Sequence, residues 1–194
     1  LSRIDISQAT GITPATVSDI VGNLIVEQLI HETGEVVSDT NKSGRKKISL
    51  DISPNHSFYI GVELSEKFFA YCLIDNKQNL FKKKILMDDP SIPERNLTES
   101  LFVAELHSFL LDCSNYHPQS IGIALPGHFD EENQSILTNN SFWTNFNFKQ
   151  LLSNIDLPVY FKNNVQCMTL SERLFGHDNN DNNFTFVHVG RGMF

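Results

Sequence analysis

Val17, Ile20, Val21, Leu24 and Ile25 recur every three to four residues, which predicts an amphipathic helix opening at Thr13-Pro14. Thr is a good N-cap, and Pro suits the first helical position because its missing N–H would be unpaired there anyway. Before it, Ile4, Ile6, Ala9 and Ile12 have looser helical spacing, broken by Gly11. Leu29 to Glu32, Glu35 to Val37 and Lys46 to Leu50 read as strand. Ser53-Pro54-Asn55 is a turn signal, and from Phe58 the pattern changes to alternating strands and helices. Strands are expected over Phe58–Leu64, Phe68–Asp75, Leu80–Leu86, Ser120–Leu125, Pro158–Lys162 and Phe184–Val189. Helices are expected over Leu97–Leu111, Phe148–Ile155 and Val165–Phe175. The pattern divides the chain into domains 1–53 and 57–194, the second of α/β type.

Composition narrows the choices. With 194 residues, 40% hydrophobic and 20% charged, the chain can bury a core. A net charge of -8 argues against a protein that coats DNA with basic charge all over, but not against a local DNA-reading module. Four of the five basic residues in 1–53 (Lys42, Arg45, Lys46 and Lys47) fall within six positions. That clustering is the footprint of a phosphate or minor-groove contact. Cys72, Cys113 and Cys167 lie far apart with no CxxC pair, so neither a disulfide framework nor a zinc knuckle is indicated. No apolar run reaches membrane-spanning length and no signal peptide is visible, so a cytoplasmic location and no membrane partner are expected.

A short helix, a glycine turn and a second helix capped by Thr-Pro form a helix-turn-helix pattern. Thr13, Ala15, Thr16, Ser18 and Asp19 occupy the polar face at the start of the second helix, where such motifs meet base edges and phosphates. Lys42, Arg45, Lys46 and Lys47 would form a basic wing beside it. Asp19 fits less easily, because a carboxylate near DNA is repelled unless it accepts from a cytosine amino group. Any two-helix corner with small polar residues outside would give the same text.

The run Thr10 to Ser18, then Leu24-Ile25, Leu29-Ile30 and Gly44-Arg45, resembles the winged helix of the ROK family, which joins repressors, open reading frames and kinases of sugars. Gly61-Val62-Glu63, Pro126-Gly127, Trp143, Pro158-Val159, Asn163-Asn164, Glu172 and Val189 to Gly192 match, in order, the first lobe of the family's kinases. The resemblance implies an α+β winged helix-turn-helix followed by an α/β actin-like ATPase (ribonuclease H-like, sugar kinase) N-terminal lobe. It also implies more chain on both sides: a first helix before Leu1, and beyond Phe194 a second lobe with dimer contacts and a structural zinc motif. The wing, usually Gly-Arg-Pro in the family, here reads Gly44-Arg45-Lys46.

The same resemblance bears on chemistry. A ROK kinase needs an Asp-x-Gly-Gly-Thr turn, where glycines let backbone amides approach phosphate. Here the stretch is Glu63-Leu64-Ser65-Glu66-Lys67, without either glycine. The kinases' general base is the Asp of an Asn-Asp pair, and this chain has Asn163-Asn164. An amide cannot take up the hydroxyl proton, a loss of roughly 10²–10⁴ in rate. The reading is therefore a non-enzymatic repressor of sugar-utilisation genes, with no catalytic residue, no metal ligand and no cofactor in this chain. Its expected partners are double-stranded operator DNA, a sugar or sugar-phosphate effector and, at full length, a second copy of itself. The rival reading is an ATP-dependent sugar kinase with an appended winged helix, in which Glu63 holds a metal. Asn140, Asn163, Asn164 and Gly127 are the sugar-site candidates, although asparagines there would also suit turns between strand and helix. His128 follows Pro126-Gly127 and could line the cleft, although a loop histidine is more often solvated. His188 reads as a core histidine in the last strand, and His107 and His117 lack partners at metal spacing.

Overall fold

The computed structural model describes residues 1–35, 47–89, 91, 96–138, 140–144, 146–148, 153–176 and 184–189. The chain divides into two compact units, Leu1–Ser57 with Asp75–Asn79, and Phe58–Ile74 with Leu80–Phe194.

In the first unit, α1 (Arg3–Thr10) and α2 (Pro14–Val26) are set by their caps. The Ser2 side chain accepts from Asp5 N, and the Asp5 carboxylate accepts from Ser2 N in return, so two otherwise orphaned amides are paired. Gly11 ends α1 at φ 71°, a left-handed conformation that glycine adopts without a Cβ penalty. Thr13 caps α2 and Pro14 starts it, as the sequence predicts. The antiparallel strands β1 (Ile30–Glu35) and β2 (Ile48–Ile52) follow, with a bulge between Glu32 and Gly34. The chain start pairs along β2, with a bridge between Ser2 and Ser49. The core is small: Val17, Val21 and Leu50, with Ile6, Ile25 and Ile30 against them. Ile20, expected on the apolar face of α2, is 44% exposed. The loop residues Lys42, Arg45 and Lys46 lie outside the described residues.

The Asp75–Asn79 turn belongs to this unit. Asp75 is buried and accepts from the backbone N–H groups of Asn55, Lys77 and Asn79 and from the Asn79 side chain. Burial pushes its pKa up, but the Asn79, Lys77 and Asn55 donors outweigh it and leave the carboxyl below its ordinary value.

The second unit is a five-stranded sheet in the order β5-β4-β3-β6-β9, from β3 (Phe58–Leu64), β4 (Phe68–Asp75), β5 (Leu80–Met87), β6 (Ser120–Leu125) and β9 (Val159–Asn163). Strand alternation puts Ile60, Val62 and Leu64, Phe69, Tyr71 and Leu73, and Ile121, Ile123 and Leu125 into one buried cluster. Helix α3 (Glu99–Asp112) adds Phe102, Leu106 and Phe109, and Trp143 of the short helix α4 (Ser141–Thr144) closes the cluster with Phe146 and Phe148. β5 is an edge strand, and Lys82, Lys83 and Lys84 along it blunt an edge that would otherwise template pairing. Lys84 pairs with Glu105, and Lys82 reaches the Asp112 carbonyl. β6 runs parallel to both β3 and β9, and α5 (Asn164–Phe175) follows β9 directly.

Two readings change. Phe184–Val189 forms no strand of the sheet: Val189 makes an isolated bridge and the rest is irregular, so His188 is a half-buried residue outside any strand. The helix expected over Phe148–Ile155 lies largely outside the described residues; of those described, Phe148 is helical and Ser153 to Ile155 are turn and coil. A hairpin of β7 (His128–Asp130) and β8 (Ser135–Leu137) occupies a stretch with no expected element, because three-residue strands are too short to show a period.

Leu106 is fully buried. Leu106→Ala is expected to lower the unfolding free energy of the second unit by about 2–5 kcal/mol, measured by urea denaturation.

Candidate functional site

Two places gather the predicted residues, one in each unit. On the first, Thr13, Ala15, Thr16, Ser18 and Asp19 are all exposed, while Val17 and Val21 turn inward. Position 17 thus separates a polar outer face from the core, as a 3.6-residue period requires. Thr13 and Thr16 are not free rotors: their hydroxyls lie 2.9 Å apart, and Thr13 Oγ1 also accepts from Thr16 N. Ala15, Ser18 and Asp19 present their side chains to solvent. Arg3 Nη1 lies 2.8 Å from Glu32 Oε1, and Lys47 Nζ lies 2.8 Å from Asp5 Oδ1. The hydrogen bond from Lys47, with those from Ser2, holds the Asp5 carboxyl well below the usual carboxylate range.

On the second unit, parallel pairing of β3, β6 and β9 brings their carboxyl ends to one edge of the sheet. Ligands of open α/β sheets bind outside such ends. Gly127 lies just past β6, and Asn163 ends β9 and caps α5. The Asn163 side chain is heavily used. Oδ1 accepts from Val165 N at 2.9 Å and Gln166 N at 3.2 Å, and Nδ2 donates to Gly127 O at 3.1 Å. Asn164 Oδ1 accepts from Val165 N, while its Nδ2 makes no hydrogen bond among the described residues. Asn140 Oδ1 accepts from Phe142 N, and its Nδ2 donates to Glu66 Oε1. A Cβ on Gly127 would meet Ile136 Cγ2 at 2.9 Å, so packing against the β7–β8 hairpin itself calls for glycine there. Beside Asn163 a polar cavity of about 510 Å³ is lined by His128, Phe129, Asp130, Lys162 and Gln166. His128, at the start of β7, is exposed to solvent and also lines this cavity.

The turn after β3 is closed by its own hydrogen bonds. Ser65 N donates to Phe68 O at 2.9 Å, and Lys67 N donates to the Ser65 hydroxyl. The Glu66 carboxylate sits at its tip, held by Asn140. Burial pushes the half-buried Glu63 above the ordinary carboxylate pKa. The Glu66–Asn140 contact joins residues 74 positions apart and has no sequence signal. Among the described residues, no group of three or more His, Cys, Asp or Glu is placed to hold a metal ion. No helix among them is long and apolar enough to cross a membrane.

Residues 59–193 match the sequence model of the ROK family. The chain belongs to the ROK family. The xylose repressor of Bacillus spizizenii is 26% identical over 196 residues, covering all of this chain and 50% of the repressor. The DNA-binding transcriptional repressor Mlc of Escherichia coli is 25% identical over 91% of this chain and 44% of its own length. The chain thus spans about half the length of the curated relatives it matches. Among solved structures, a ROK family transcriptional regulator homologous to E. coli Mlc superposes with a TM-score of 0.69 at 23% identity, covering all of this chain and 49% of the regulator. A ROK family glucokinase from Streptomyces griseus gives 0.55 at 16% identity over 71% of this chain and 43% of the kinase. These likenesses show that the second unit has the actin-like fold that ROK regulators share with ROK kinases.

Asn163→Ala removes both the helix cap and the tie to Gly127, and is expected to cost about 1–2 kcal/mol in urea denaturation. Asn163→Asp keeps the cap but has no donor for Gly127 O, so a smaller loss is expected.

Proposed function

We propose that this ROK protein is a sugar-responsive transcriptional repressor. In this reading the first unit binds operator DNA as a winged helix-turn-helix, and the second binds a sugar without phosphorylating it. The observation that carries it is one of coverage. The xylose repressor and the Mlc-like regulator each match the whole chain, whereas the glucokinase matches 71% of it. The exposed row Thr13, Ala15, Thr16, Ser18 and Asp19 supports base reading by the start of α2, with Arg45, Lys46 and Lys42 on the wing gripping phosphates.

The geometry after β3 supports binding without turnover. A phosphoryl-transfer site works by aiming donors and cations at phosphate oxygens. Here one turn amide is spent on Phe68 O, and a carboxylate stands at the tip. Asn164 has a free amide to donate to a sugar hydroxyl but no basic oxygen to take its proton. Asn163 acts more as the residue that positions Asn164 and Gly127 than as a ligand contact. Asn140 already spends one donor on Glu66 and one lone pair on Phe142 N, so it has less to offer a sugar than Asn164. The effector is a monosaccharide or its phosphate, and xylose is the first to test. In this reading the protein acts in the cytoplasm as a homo-oligomer, and sugar favours a form that binds the operator less well.

The test is a fluorescence-anisotropy titration on duplex DNA from upstream of its own gene against random DNA, at two salt concentrations. Preferential binding with a steep salt slope, weakened by xylose or another sugar of a panel, is the expected result. Equal weak binding to both DNAs, or ATP turnover with any sugar of the panel, would overturn it. Thr16→Ala and Ser18→Ala are expected to shift preference at one or two base pairs by about 1–3 kcal/mol each. Arg45→Gln is expected to weaken all duplexes alike and to reduce the salt slope by about one.

A further inference from the structure

We propose that Arg3 and Lys47 are phosphate-binding cations beside the exposed face of α2, and that Glu32 and Asp5 are built-in competitors that hold sequence-independent DNA affinity down. The proposal rests on the DNA-binding reading above, in which Lys47 already belongs to the basic cluster, and adds to it Arg3 and the control by Glu32 and Asp5. A cavity of about 380 Å³ opens at the start of α2, with Pro14 and Ser18 on one wall and Arg3, Lys47 and Glu32 on the others. Arg3 comes from the first position of α1, and Lys47 from the residue before β2. Arg3 and Lys47 are the two basic side chains of residues 1–53 that lie among the described residues, and both converge on this one opening.

Each cation is already held by a carboxylate. The Arg3–Glu32 pair has side chains 29% and 42% exposed, and the Lys47–Asp5 pair 46% and 34%. Ion pairs this open contribute only about 0–1 kcal/mol to stability. They are therefore weak as struts but easily exchanged for another anion. A DNA phosphate offers Arg3 the same two-oxygen geometry as the Glu32 carboxylate. The exchange is not free for the complex. A cation already neutralised within the protein gains less from phosphate than a bare one. Binding to arbitrary DNA is thereby kept weak. A site whose bases suit α2 can supply the difference, which raises the ratio of specific to non-specific binding on which a regulator depends.

The test measures anisotropy of the whole chain on a random-sequence duplex and on its upstream DNA between about 50 and 200 mM salt. Glu32→Gln is expected to tighten binding to random DNA roughly three- to ten-fold and to steepen the salt slope by about one. Arg3→Gln and Lys47→Gln should each weaken binding on both duplexes and flatten the slope by about one, and Arg3→Lys should restore it. Arg3→Gln combined with Glu32→Gln should behave as Arg3→Gln alone, because Glu32 acts through Arg3. Thermal melts followed by circular dichroism check that every variant is folded. An unchanged slope in folded Arg3→Gln, or the same tightening by Glu32→Gln whether or not Arg3 is present, would overturn this inference and leave the DNA-binding reading standing. Failure of the wild type and all variants to bind any duplex would overturn that reading, and this inference with it.

Discussion

Parallel strands end at the same edge of a sheet, and the second unit depends on that constraint. Leu125 is in register with Asn163 across β6 and β9, and Glu63 with Ala124 across β3 and β6. The loops after all three strands therefore share one rim, although they are far apart in sequence. The Asn163 side chain fixes two of them at once, by accepting from the first turn of α5 and donating to the carbonyl of Gly127. Only an amide can do both. A carboxylate would accept from the helix but confront the Gly127 oxygen with like charge, and a serine would be too short to span the two.

The periodic parts of the fold were legible from the residues. The strands from Phe58 to Asp75, the strand Ser120–Leu125, the Thr13-Pro14 start of α2 and the long helices show their 2.0 or 3.6 period over enough positions to be read. The β7–β8 hairpin did not, because its strands have three residues each. Phe184–Val189 alternates like a strand yet pairs with none in the sheet, since alternation reports which face is apolar and not whether a partner edge is available. At the candidate site, the locations of Asn163 and Asn164 at a strand end were readable, but the division of work between them was not. That division is set by hydrogen bonds to Gly127 and the α5 amides, which are tertiary facts. The same holds for Asn140, whose engagement with Glu66 spans most of the unit. Nor did the residues signal that the turn at Asp75 would join the first unit.

The first unit shows a different balance. α1 buries no residue fully and α2 buries two, so hydrophobic packing alone gives these helices little. Helices this short are marginal in water. Their definition comes from the ends: the reciprocal Ser2–Asp5 box, the left-handed Gly11 and the Thr13-Pro14 start. This has a consequence for the outer face of α2. With stability concentrated in caps and in Val17 and Val21, positions 15, 18 and 19 carry little of the fold, and on the proposed reading their chemistry is free to be set by the DNA they read.

On the proposed reading, the second unit's rim keeps a binding surface without the chemistry of a sugar kinase. The resemblance to ROK kinases implies, for transfer, a turn after the first strand with its amides open and a base after the last parallel strand. Here the turn closes on Phe68 O, with Glu66 tied to Asn140, and both residues at the end of β9 are amides. Each change exchanges a reactive or open group for a satisfied one. A transfer site needs groups whose demands are met only in the transition state. A site that only binds favours groups already oriented in the ground state, because ordering them on binding costs affinity. Asn163 is oriented by three hydrogen bonds and sits beside Asn164, whose side-chain donor makes no hydrogen bond among the described residues. On the proposed reading that juxtaposition serves as a neutral, preorganised sugar contact, and it follows from the same parallel register that gathers the loops.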